Sequence, residues 1–465
     1  MRETSSGRSK TVGFGIEALP RIVRGEGSYL IDERGRRYLD GSGGPAAFSI
    51  GHGNREVNAA IAAQLERIAC AYRYLFTSEA LEELTALVLR LAGGDFEHVV
   101  YTSSGSEAVE SAMKIALQYF DACGAPERRH FIARERSYHG NTLGALSVSG
   151  FAERRRPFEG SLLEVSFVSA ANAYRPPVGV APAERIDHWA AELDARIRSI
   201  GPERVAGFVF EPVVGAAGGA VPAPPGYAAA VAAVCRRHGV LLIADEVMCG
   251  AGRCGSWRAL EADGVVPDVM AVAKGLAGGY IPVGATLLRR EIGATILANH
   301  GAFMTGHTYS GHTAACAAAL AVQRLIERDG LIARVRERGP QLLAALRERL
   351  EPIAAVGDVR GRGYLIGIEL VSDRATKTPY EPQRAVAQAV SRHAFEHGLI
   401  VYPCAGNAGE GRGDTLIVAP PYNASDAELE ELVDTLSASL ATIARGLHAS
   451  RERGTLARTP GSPRR

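Results

Sequence analysis

Lysine is almost missing from this chain. Of its 52 lysine and arginine side chains only four are lysine: Lys10, Lys114, Lys274 and Lys377. Paired cysteines are missing too. The seven cysteines show no CxxC spacing, and nothing near Cys249 and Cys254, the closest pair, completes a zinc set. That argues against a disulfide scaffold and leaves reduced, mostly buried thiols as the expectation. The twelve histidines show no paired spacing that argues for a metal, so none is expected. A net charge of +1 gives no field to draw in nucleic acid or an anionic membrane. No apolar run approaches the roughly 18 to 20 residues of a membrane helix. The opening MRETSSGRSK lacks the apolar middle of a secretory signal. The expectation is a cytoplasmic protein whose partners include neither nucleic acid nor membrane.

What remains is rich in short apolar runs. HVV (98–100), FIA (131–133), LEVSFV (163–168), VAGFVF (205–210), VLLIA (240–244), VMAVA (269–273) and VGATLL (283–288) read as strands. Several are continuously apolar, which suits a parallel sheet covered on both faces. Helical patterns lie between them, at Ser106–Phe120, His188–Ile200, Tyr227–His238 and Thr313–Arg328. This βαβ rhythm predicts an α/β fold with a large, doubly wound, mostly parallel domain over residues 61–325. Residues 1–60, with a hairpin around Glu33-Arg34-Gly35, form an N-terminal segment assigned to a smaller α+β domain completed by residues 326–448. The Arg-, Gly- and Pro-rich tail at 449–465 is expected to be disordered.

In a buried parallel sheet, function collects at the carboxyl ends of strands. AVAKGLAGGY ends such a strand with Lys274. Arginine stays protonated at any ordinary pH, whereas a desolvated lysine can lose its proton and attack a carbonyl. VLLIADEV presents Asp245 and Glu246 at another strand end, where an acid either caps and pairs locally or holds a cation. HVVYTSSGSEAVE sets Ser104, Gly105 and Ser106 at a helix start, with Glu107 completing a capping-box pattern. That is a capped helix first, but its free N–H groups also suit a phosphate. This helix start is neither GxGxxG nor GxxxxGK[ST], which argues against reading it as a dinucleotide or P-loop site. Tyr138 and His139 in ERSYHGNT, and Glu211 before a glycine-rich loop, complete the strand ends. A nucleophilic lysine, a carboxylate, a phosphate-binding helix start and an aromatic plate together suit one small molecule, pyridoxal 5′-phosphate.

From about residue 20 to 445 the chain resembles the class III (ω-type) aminotransferases, pyridoxal-phosphate enzymes of the aspartate-aminotransferase fold. The matching segments include YLIDERGRRYLDG, IGHGNREV, VRGRGYLIGIELV and, above all, ADEVMCGAGRCGSW with PDVMAVAKGLAGGYIPVGA. The resemblance implies that Lys274 is the Schiff-base lysine and proton shuttle, and that Asp245 faces the pyridine nitrogen. It implies that Val247 and Tyr138 flank the ring, that Gly105 and Ser106 hold the phosphate, and that Glu211 lies near ring and substrate. Thr308 in GHTYSGH is similar to a threonine that reaches the phosphate of the neighbouring subunit, which implies a homodimer with shared sites.

Three departures bear on substrate. Met248 stands where many members have a glutamine, and cannot replace its hydrogen bond. His139-Gly140-Asn141 replaces an HGR whose arginine takes a carboxylate, which argues against GABA, ornithine or acetylornithine as substrate. Arg412, in a glycine-rich insertion ahead of GDT, is the nearest equivalent of a mobile substrate-binding arginine. Phe48, Tyr72 and Tyr74 are candidate specificity residues or core aromatics. The implied activity is ping-pong transfer of an amino group from an amine or ω-amino acid to an oxo-acid such as pyruvate or 2-oxoglutarate. An aminomutase of the glutamate-1-semialdehyde type, a decarboxylating transaminase and a silent homologue stay open as alternatives.

Overall fold

The structure, a computed structural model, describes residues 19–409 and 411–456. The start of the N-terminal segment and the end of the tail lie outside them. At its centre is a seven-stranded sheet. Its order is Phe96–Thr102, Gly284–Arg289, Val269–Val272, Leu241–Asp245, Val205–Phe210, His130–Arg134, Val165–Val168. Gly284–Arg289 runs antiparallel to both of its neighbours, and the pairs from Val269–Val272 outward to Val165–Val168 are parallel.

The continuous apolar runs are explained by two covered faces. Leu242 and Ala244 join one core cluster with Met270 and Val272, while Leu241 and Ile243 join another with Val269 and Ala271. Side chains alternate between faces, yet both faces are dry, so the sequence cannot alternate in polarity. The helices Gly105–Ala122 and Tyr227–His238 lie on opposite sides of the sheet, in those two clusters.

Both ends of the chain meet in a second body. The hairpin Tyr29–Asp32 with Arg37–Asp40 forms a sheet with Ile22–Glu26 and, in parallel, with Leu399–Ile400. The apolar run LIVYP (399–403) is therefore divided. Leu399–Ile400 serves the N-terminal sheet, and Tyr402–Gly409 joins Val356–Arg362, Leu365–Leu370 and Arg412–Val418 in another. The glycine-rich insertion is a hairpin and not an open loop, with Gly409 paired to Arg412 in its ladder. The last helix spans Asp426–Leu456, past residue 448, where the composition argued for a disordered tail. Its preceding turn Ser425–Glu428 is cross-bonded, the Ser425 hydroxyl accepting from Glu428 N and a Glu428 carboxylate oxygen accepting from Ser425 N.

Candidate active site

A cavity of about 560 Å³ opens at the carboxyl ends of the central strands, lined among others by Lys274, Asp245, Tyr138, Val247, Phe48 and Arg154. The strands carrying Asp245 and Lys274 are neighbours. Asp245 pairs in register with Ala271, three residues before the lysine.

Lys274 opens a short turn, Lys274–Leu276, with φ at 45°, a left-handed value that costs a non-glycine residue about 1–3 kcal/mol. The turn is pinned from outside. Gln323 on the buried helix Thr313–Arg328 donates from Nε2 to the carbonyls of Gly275 (3.1 Å) and Leu276 (2.9 Å). Trp257 Nε1 in turn donates to Gln323 Oε1 (2.9 Å), which fixes the amide. Among the described residues no atom accepts a hydrogen bond from Lys274 Nζ. Burial pulls its pKa below the ordinary lysine value, against the opposing charges of Asp245 and Glu211.

The two adjacent acids have different partners. Asp245 Oδ1 accepts from the N–H of Val247 (2.9 Å) and Oδ2 from Nδ1 of His139 (2.8 Å). Glu246 turns away from the cavity and takes the N–H groups of Ala259 (2.5 Å) and Leu260 (3.0 Å), where the short helix Ala259–Asp263 begins. Of the two readings open for these acids, local capping applies to Glu246. Burial raises its pKa to about 7. Glu211 is also buried, with Oε1 accepting from Tyr138 N (3.0 Å) and Oε2 from Gly215 N (2.7 Å). Burial raises its pKa, countered chiefly by His139.

At the far wall the helix Gly105–Ala122 begins. Ser104 Oγ caps Glu107 N (3.2 Å), as the pattern predicted, but the Glu107 carboxylate reaches the N–H of Ser103 (2.7 Å) and not that of Ser104. The N–H groups of Gly105 and Ser106 have no acceptor among the described residues, which leaves two donors at the positive end of a helix dipole. Gly105 is required by packing: a Cβ there would lie 2.7 Å from Val247 Cγ1.

Met248 also lines the cavity and packs against Gly215, where an added Cβ would lie 2.3 Å from its Sδ. Phe48 lines the cavity, whereas Tyr72 and Tyr74 are exposed and do not. Thr308 is exposed outside the cavity of its own chain. Arg412 is exposed on its hairpin strand and is not among the lining residues. Two lining residues carry roles that the sequence reading did not give them. His139, read from the sequence only as a residue beside Tyr138 at a strand end, is the hydrogen-bond partner of Asp245. Arg154, in the charged run ERRR, gave no signal at all. Among the described residues no group of His, Cys, Asp and Glu is placed to hold a metal ion, and no helix is long and apolar enough to cross a membrane.

The cavity therefore offers an unpartnered amine, a buried carboxylate with lone pairs to spare, two unpaired N–H groups at a helix start, and Tyr138 and Val247 as walls. That donor set fits a flat, phosphorylated aldehyde with a basic ring nitrogen, the chemistry of pyridoxal 5′-phosphate. Known proteins agree. Residues 16–440 match the family model for class III aminotransferases. The chain is 43% identical over 431 residues to the uncharacterized aminotransferase YodT of Bacillus subtilis, covering 92% of this chain and 97% of that protein. It is 36% identical to an adenosylmethionine-8-amino-7-oxononanoate aminotransferase of Geobacter sulfurreducens, covering 91% and 92%. A PLP-bound amine transaminase from an uncultivated Pseudomonas species superposes with a TM-score of 0.88 at 35% identity, covering 94% of this chain and 100% of that one. The chain belongs to the class III aminotransferases. It is an enzyme that uses pyridoxal phosphate, on the fold that the sequence implied.

Proposed function

We propose that the enzyme transfers an amino group from a primary amine or ω-amino acid to an oxo-acid acceptor in two half-reactions, with Lys274 and Asp245 as catalytic residues. The observation that carries the reading is the unpartnered Lys274 Nζ in the same cavity as a His139-oriented Asp245. Pyridoxal phosphate supplies an electrophilic carbonyl and a ring that draws negative charge from the donor carbon.

The residues supply the rest. Asp245 would hold a positively charged ring nitrogen, and the 2.8 Å hydrogen bond from His139 keeps its carboxylate aimed. Lys274, with its pKa lowered by burial, would take the proton from the donor carbon as a general base and later give it back as a general acid. Gly105 and Ser106 would hold the phosphate with their free N–H groups. Val247 and Tyr138 would clamp the ring. Glu211, bonded to the Tyr138 amide, keeps that clamp in place. Thr308 would complete the phosphate site of a neighbouring subunit, which accounts for its exposure in one chain and implies a homodimer.

Lys274→Ala tests the reading directly. It is expected to abolish turnover with a panel of amine donors plus pyruvate or 2-oxoglutarate, and to remove the visible absorbance of the lysine-linked cofactor. Full activity in that variant would refute the assignment. Turnover of the parent enzyme without any added oxo-acid would replace transfer by an internal amino shift.

A further inference from the structure

Apart from Lys274, the cavity wall holds one other cationic side chain, Arg154. It sits on the short helix Ala152–Arg155, half-buried. Its guanidinium carbon lies 5.2 Å from the ring centroid of Tyr138 and 5.5 Å from that of Phe151. Aromatic rings on a guanidinium steady it without using its N–H donors. Among the described residues no carboxylate pairs with it. The two acids of the cavity are engaged elsewhere, Asp245 by His139 and Val247, and Glu211 by the amides of Tyr138 and Gly215. Its neighbour Glu153 is engaged by the N–H of Gly411 on the insertion hairpin. The cavity thus carries a guanidinium that no carboxylate among the described residues matches.

The transfer reaction supplies a match. Any oxo-acid acceptor brings a carboxylate beside its reacting carbonyl, and a planar guanidinium is the side chain that binds one in two-point fashion. Asn141 cannot do so, and Arg412 is outside the cavity lining. Resting on the transaminase reading above, we infer that Arg154 is the anchor for the substrate carboxylate, and that this enzyme selects oxo-acids through it. The Tyr138 ring beneath the guanidinium gives the same place an apolar side, on which the body of a carboxylate-free amine can rest in the other half-reaction.

The test separates the half-reactions of the purified holoenzyme. Arg154→Met keeps the length and the ring contacts and removes the charge. With a carboxylate-free amine such as 1-phenylethylamine, the first half-reaction is expected to keep its rate and KM within about threefold. With pyruvate or 2-oxoglutarate, KM in the second is expected to rise about 10- to 100-fold, the range for one lost charge-assisted contact. Arg154→Lys is expected to recover part of that loss. A readout that needs no turnover is the thermal midpoint under propionate titration, which is expected to rise in the parent and stay flat in Arg154→Met. Equal losses in both half-reactions, an unchanged KM for oxo-acids, or a loss that follows Arg412→Met and not Arg154→Met would each overturn the assignment. A parent enzyme that transfers no amino group to any oxo-acid would bring down the transaminase reading, and this one with it. A parent that does so while Arg154→Met behaves like it removes this one alone.

Discussion

Two parts of the molecule bury charge, and they treat it in opposite ways. In the C-terminal sheet, Arg360 Nη1 meets Glu369 Oε2 at 2.6 Å and Asp358 Oδ2 at 3.0 Å. The other oxygen of Glu369 takes Arg175 Nε at 2.6 Å. The remaining donors of Arg360 go to the carbonyls of Gly218 (2.8 Å) and Gly219 (3.2 Å). At that site each ion has a counter-ion and each carbonyl a donor. In the cavity, Lys274 and Arg154 have no such partner among the described residues. Charge that is matched inside the protein ties elements together, here the sheet to the glycine-rich loop behind Glu211. Charge left unmatched beside a cavity is held for a ligand, because desolvation without a partner is otherwise only a cost.

The largest expected effect comes from breaking the matched side. Glu369→Gln takes the counter-ion from partly buried Arg175 and leaves buried Arg360 with Asp358 alone, and is expected to cost about 3–5 kcal/mol of stability. Denaturant melts check this, and turnover per folded molecule should stay near the parent value. The cavity side should behave in reverse. Asp245→Asn keeps the shape and is expected to lose about 100- to 1000-fold in kcat, the scale for removing one preorganised charge at a reacting centre. Its stability should stay within about 1 kcal/mol of the parent, since Asn can still accept from the Val247 amide. A collapse of stability together with activity would erase the contrast.

Glu246 sharpens the comparison, since its charge is met chiefly by backbone N–H groups. With its folded pKa raised to about 7 from an ordinary 4.5, the acid favours the folded state fully below about pH 4.5. That contribution is lost as pH rises through about 7. The parent is expected to lose at most about 3 kcal/mol over that window. Glu246→Gln removes the proton uptake, so its stability should be flatter between those pH values. Parallel melts across the window read the slope and are insensitive to any uniform cost of the substitution.

Much of the architecture was legible because the signals were local. The runs at 205–210 and 240–244, dry on both faces, could only be central strands, and Tyr227–His238 and Thr313–Arg328 have the helical ends that their periodicity predicted. The division of LIVYP between two sheets was not legible, because it depends on a strand pairing with Arg37–Asp40 from the other end of the chain. Lys274 and Asp245 stood out because each closes an apolar run with a residue that is costly there, and Gly105 because it stands in a Ser/Gly helix start. Arg154 did not, because an arginine in ERRR is indistinguishable from a solvated one until Tyr138 and Phe151 are seen against it.

By itself the sequence determined which strands are buried, which strand ends carry an amine and an acid, and which family the chain falls into. The first two follow from periodicity and residue chemistry within a few positions, and the family from the resemblance of whole motifs along the chain. Only the tertiary structure decided that Asp245 faces the cavity while Glu246 caps a helix. It alone gave His139 to Asp245 and Gln323 to the lysine turn, and left Arg154 beside the cavity without a counter-ion. Those outcomes depend on groups from 13 to 106 positions apart being brought within hydrogen-bond or van der Waals reach, and no local pattern encodes such a pairing.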